Sequence, residues 1–152
     1  FISTRAAYAG LSDRMKTLLE GLRGEHDLAM TYEAGWRAGL PLRDKVAAEL
    51  ASGRASLHPV VMRHPANGLP WLNVSPTYTR FLQGLPPLEG SAILDLLFRH
   101  MQKPEFGFRY QWNEGDLLIW DQRAAQHYAV RDYEGRRVIH RISVLPRAQG
   151  AA

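Results

Sequence analysis

Apolar residues along the chain fall into three stripes of helical spacing and several runs that alternate residue by residue. Ser12 stands before Met15, Leu18, Leu19 and Leu22, the pattern of a capped helix with Gly24 as its stop. A second stripe, Leu42, Val46 and Leu50, closes at Ser52-Gly53. A third follows Pro86-Pro87, carries Ile93, Leu94, Leu96, Leu97 and Met101 on one side, and ends at Lys103-Pro104. All three read as core-packing faces. Residues 25–40 hold Gly35 and Gly39 without a clear period, and read as a loop.

Period two governs most of what remains. Residues 57–63 and 69–74 flank Pro65-Ala66-Asn67-Gly68, which predicts a hairpin. Phe106, Phe108, Tyr110 and Trp112 alternate with Gly107, Arg109 and Gln111. Asn113-Glu114-Gly115-Asp116 then turns the chain into Leu117-Leu118-Ile119-Trp120, and a last strand is expected over 136–145. Short antiparallel strands with a few flanking helices predict a mainly β fold, a sandwich or jelly roll.

Composition narrows the classes. The 152 residues are 45% hydrophobic, enough to bury the core of one compact domain. Disorder, collagen-like repeats and a disulfide-stapled scaffold are excluded, the last because there is no cysteine. No apolar run is long enough to span a bilayer and the first residues do not form a signal segment, so no membrane association and a cytoplasmic location are expected. The net charge of +4 comes from sixteen Arg and only three Lys, set against 15 acidic residues. These arginines are spread without a basic block or stripe, which argues against nucleic acid as a partner. Guanidinium instead suits bidentate capture of small carboxylate, sulfonate or phosphate groups.

The chemistry-bearing stretch runs from Trp120 through His127 to Arg141. On a strand, Arg137 and Arg141 share a face, roughly 13 Å apart at about 3.3 Å per residue. His127 lies a short loop upstream. An imidazole near two guanidiniums suits a metal ligand with two anion clamps. A lone histidine is more often a hydrogen-bonded structural residue than a ligand, and same-face arginines on a strand are more often solvated or paired with a cross-strand acid.

Longer strings carry a resemblance. His58-Pro59-Val60-Val61, Arg63-His64-Pro65, Lys103-Pro104-Glu105-Phe106, Gly115-Asp116, Trp120-Asp121, Arg123, Gln126-His127-Tyr128-Ala129, Asp132-Tyr133, Arg136-Arg137 and His140-Arg141 together resemble the C-terminal half of the taurine dioxygenase (TauD/TfdA) family. Ala6-Ala7-Tyr8, Leu11-Ser12, Gly21-Leu22 and His26-Asp27 extend the similarity more weakly to the first residues. The resemblance implies a double-stranded β-helix (jelly roll) and dependence on iron(II) and 2-oxoglutarate. It places His127 as the distal histidine of the metal site and Arg137 as the anchor of the distal carboxylate of 2-oxoglutarate. Arg141 becomes the clamp on the substrate's anionic group, and Tyr78 an aromatic wall against the substrate. Trp120, Asp121 and Arg123 shape the turn that delivers His127.

The family's other two metal ligands come from a His-x-Asp/Glu motif. None of His26, His58, His64, His100, His127 and His140 has an acidic residue two positions later. The first residue is Phe, not Met. Residues 1–152 are therefore expected to be the C-terminal portion of one dioxygenase domain, with an incomplete jelly roll. The implied activity is hydroxylation, with O2, of a small anionic substrate such as the alkyl sulfonate taurine or a sulfate ester. A sibling enzyme acting on a carboxylate, and a non-catalytic jelly-roll binding module, are the alternatives. The pattern leaves homo-oligomerisation open.

Overall fold

The computed structural model describes residues 1–27, residue 48 and residues 55–144. The expected second helix, with Leu42, Val46 and Leu50, and the loop beyond residue 27 lie outside the described residues. Among the described residues, seven short strands and three bounded α-helices follow one another. They are β1 (Ile2–Ser3), α1 (Thr4–Ala9), α2 (Asp13–Leu19), β2 (Arg23–His26), β3 (Ser56–Pro59), β4 (Val61–Arg63), β5 (Pro70–Leu72), β6 (Thr79–Leu82), α3 (Pro87–Met101) and β7 (Ala125–Gln126). A 3-10 turn, Pro104–Phe106, follows α3. All pairing is antiparallel: β3-β2-β6 forms one sheet, and β4-β5 and β1-β7 form two-stranded ladders.

The helices start where the side chains cap them. Ser3 and Ser12 accept hydrogen bonds from the backbone N–H groups of Ala6 and Met15, satisfying donors that the first turn leaves free. Pro87 opens α3, where its missing N–H is harmless. The buried positions of α3 are Gly90, Leu94, Leu97 and Met101, a narrower stripe than expected, because Leu96 faces solvent. Ala7, Leu11, Leu19, Val60, Leu72, Val74 and Leu82 complete the core around it.

Three expectations change. The first predicted helix ends at Leu19, and Gly24 lies in the central strand of the three-stranded sheet. Its role is packing, since a Cβ there would stand 3.0 Å from the Thr79 methyl. The strand expected over 57–63 breaks at Val60, which is fully buried, and its halves join different sheets. The predicted turn survives, with Gly68 at φ +70°, a conformation glycine adopts at no steric cost.

The third change concerns the C-terminal segments. Strands expected over 106–112, 117–120 and 136–145 are absent among the described residues. An alternating pattern assigns side chains to faces, but a strand exists only when a neighbour takes up its backbone hydrogen bonds. Among the described residues, the single bridge in these stretches joins Gly107 to Ile2. Leu117, Ile119, Ile142 and Val144 are accordingly exposed.

Leu97→Ala removes a fully buried side chain from the α3 contact with the core. It should destabilise the fold by about 2–5 kcal/mol, read as a lower midpoint in denaturant unfolding of the whole protein.

Candidate active site

The site is built on the shortest ladder. Ile2 pairs with Gln126 and Ser3 with Ala125, and the Thr4 N–H donates to the Ala124 carbonyl at 3.0 Å. The Gln126 side-chain amide donates to the Val74 carbonyl, tying β7 to the core. His127 is the next residue. Its ring stacks on Phe1 with centroids 5.3 Å apart and meets Trp120 edge-on at 5.0 Å.

Loss of water around the ring holds the His127 pKa below its ordinary value, helped by the positive charge of Arg141. The neutral imidazole is the form that can ligate a metal. Among the described residues neither ring nitrogen of His127 has a hydrogen-bond partner. Of the other described histidines, His26 meets the Asn73 carbonyl, His58 Ser56, His64 Asp121 and His100 the Ala7 carbonyl, while the exposed His140 has, like His127, no hydrogen-bond partner among the described residues. Metal ligation needs more than one donor, however. Among the described residues no group of three or more His, Cys, Asp or Glu side chains could hold a metal ion. His127 therefore fits such a site as one ligand, and the described residues do not complete the set.

An open cleft of about 1120 Å³ runs beside β7. His127 and Arg137 both line it, together with Tyr110, Trp112, Asp132 and Tyr133. Arg137 is half-buried with its guanidinium 5.0 Å from the centre of the Tyr133 ring, whereas Arg136 is exposed. Arg109 donates to Asp132, and this contact, more than the charge of Arg137, keeps the Asp132 carboxyl below the ordinary carboxylate range. The hydroxyl of Tyr110, which lines the cleft, donates to Asp116 at 3.0 Å, and Asp116 also accepts from the Asn113 N–H that begins the predicted turn.

Arg141 lies outside the cleft lining. Its Nη2 donates to Gln122 Oε1 at 2.9 Å and its guanidinium lies 5.7 Å from the centre of the Trp120 ring. The shared strand face expected for Arg137 and Arg141 is thus not formed among the described residues, although Arg137 lines the same cleft as His127 and the charge of Arg141 acts on its ring. Tyr78 is part-exposed on the far side of Thr77, its carbonyl accepting from the Asp27 N–H, and it does not line the cleft. Phe1, Gln122 and Tyr133 carry contacts that no local pattern announces. Two of them flank the His127 string, but Phe1 reaches it only through the fold.

The arrangement meets known proteins at this point. The sequence profile of the "Taurine catabolism dioxygenase TauD, TfdA family" matches residues 1–143. The chain belongs to this family. It is 34% identical over 146 residues to an alpha-ketoglutarate-dependent 2,4-dichlorophenoxyacetate dioxygenase of Cupriavidus pinatubonensis, covering 95% of the chain and 49% of that protein. It is 32% identical over 145 residues to an alkylsulfatase of Acinetobacter baylyi, covering 93% of the chain and 45% of that protein. The crystal structure of a taurine dioxygenase from Burkholderia xenovorans superposes with a TM-score of 0.56 at 29% identity, covering 74% of the chain and 33% of its own. The chain thus spans about half the length of the curated relatives it matches. Among the described residues no helix is long and apolar enough to cross a membrane.

Because the fold disfavours protonated His127, the unfolded chain binds more protons as pH falls through about 6.5, and this group withdraws stability in acid. Removing the Arg141 charge should raise the His127 pKa toward its ordinary value. A histidine-resolved NMR titration of Arg141→Ala checks this; an unmoved midpoint would separate the two residues.

Proposed function

We propose that this chain is part of an iron(II)- and 2-oxoglutarate-dependent dioxygenase that hydroxylates a small anionic substrate with O2. The observation that supports it best is the pairing of His127 and Arg137 in one cleft of a family member, with neutral imidazole nitrogens free among the described residues. In this reading His127 supplies one nitrogen to the metal. Arg137 receives the distal carboxylate of 2-oxoglutarate, with the Tyr133 ring against its guanidinium to limit its rotation. The bound ion and cosubstrate supply the oxidising chemistry, while the protein orients the groups that react. The remaining metal ligands lie beyond the described residues, in keeping with a chain that is one portion of a larger jelly-roll domain.

In this reading Arg141, once it leaves Gln122 Oε1, takes the substrate's anionic group, and Tyr78 serves as an aromatic contact for a part of the substrate that reaches beyond the cleft lining. The favoured substrate is an alkyl sulfonate or sulfate ester. The similarity to an alkylsulfatase and to a taurine dioxygenase supports that choice. A carboxylate substrate is the second reading, supported by the similarity to a 2,4-dichlorophenoxyacetate dioxygenase and by the indifference of a guanidinium to which oxyanion it binds.

Anaerobic addition of iron(II) and 2-oxoglutarate to the whole protein should give a visible charge-transfer band; its absence would refute the reading. His127→Ala should abolish the band and turnover. Arg137→Ala, which loses a charge-assisted contact, should raise the KM for 2-oxoglutarate by about 10–100-fold while iron affinity holds. An unchanged KM would remove Arg137 from the cosubstrate site.

A further inference from the structure

We infer that His64 and Asp121 form a positioning pair that sets the geometry around His127, an inference that rests on the reading of His127 as a metal ligand. His64 follows β4 and is built into the hairpin. Its N–H donates to the Leu69 carbonyl at 2.9 Å, and its own carbonyl accepts from Gly68 at 2.7 Å. The imidazole is largely covered and lies edge-on to the buried Trp71 ring, with centroids 6.1 Å apart.

Its proton is assigned by its partners. The Ala66 N–H donates to Nδ1 at 3.2 Å, so Nδ1 carries a lone pair and the proton sits on Nε2. Nε2 faces Asp121 Oδ2 at 3.0 Å and donates to it. The other oxygen, Oδ1, accepts from the Arg123 N–H at 2.9 Å. One carboxylate thus pins the turn internally and fastens it to the hairpin.

The residues on either side of Asp121 are those that touch the site. Trp120 packs against His127. Gln122 Oε1 accepts from both the Trp120 indole N–H at 3.1 Å and Arg141 Nη2 at 2.9 Å. The β1–β7 ladder fixes where the His127 backbone stands, but the wall beside its ring and the anchor of Arg141 both hang on this turn. Arg137 leans on Tyr133 instead, outside the tether. The pair therefore acts on the histidine and the Arg141 side, and spares the Arg137 side.

Asp121→Asn puts an NH2 group where one of the two accepting oxygens stood, so the His64 Nε2–H or the Arg123 N–H then faces a donor instead of an acceptor. His64→Leu removes the donor, whereas His64→Gln keeps an amide N–H able to reach Asp121. In metal-free whole protein, Asp121→Asn and His64→Leu should shift the His127 imidazole signals, and His64→Gln should restore them. Manganese(II) affinity, followed by EPR, should fall about tenfold in each damaging variant. The double variant should be no worse than either single one, because both cut the same link. The KM for the anionic substrate should rise while that for 2-oxoglutarate holds. Folded variants with a lower melting temperature but unmoved His127 signals would overturn the inference, leaving a merely structural pair. Wild-type protein that binds no manganese would refute the metal reading, and the metal-free His127 signals would still decide the tether.

Discussion

The candidate site depends on one short contact, the two-residue ladder between β1 and β7. It joins residues at opposite ends of the described chain, and each side is anchored separately to the core. On one side Ser3 caps α1, whose Ala7 is fully buried. On the other, Gln126 reaches the Val74 carbonyl. Only because both anchors hold does His127 emerge between Phe1 and Trp120 and above the cleft. The ladder gains little from its own few hydrogen bonds; its strength is borrowed from the packed elements at either end.

The electrostatics follow from this placement. Between two rings and near the Arg141 charge, the His127 imidazole is pushed toward its neutral form. The arginines around it are not interchangeable. Arg137 rests on an aromatic face at the cleft, while Arg141 is held by an amide oxygen behind a tryptophan. One is placed to meet a ligand already inside the cleft, and the other must swing from its amide anchor to reach one.

The sequence was legible wherever the determining interactions are local. Ser12 marks the start of its helix, Pro87 the start of α3, and Pro65-Ala66-Asn67-Gly68 the hairpin turn, because caps and turns are decided within a few residues. The alternating segments were misleading for the opposite reason. Phe106 to Trp112 and the arginine-bearing stretch from Arg136 show period two, yet a strand needs a partner that the pattern cannot supply. Gly24 looked like a helix stop, but its small size serves the close approach of Thr79 from β6. His127 and Arg137 are singled out by the family string around them; the ring contacts of Phe1 and the tie from His64 are invisible in the sequence because they join positions far apart in the chain.

The split origin of the His64–Asp121 link has a consequence for how the molecule assembles. The hairpin closes over a handful of residues, an event of microseconds, and so presents the imidazole early. The His64–Asp121 contact instead closes a much longer loop that contains α3, at a correspondingly larger entropic cost. The scaffold half of the tether thus stands ready before the turn docks. Local opening in the native state should run in reverse, with the turn and His127 releasing first while the hairpin stays closed.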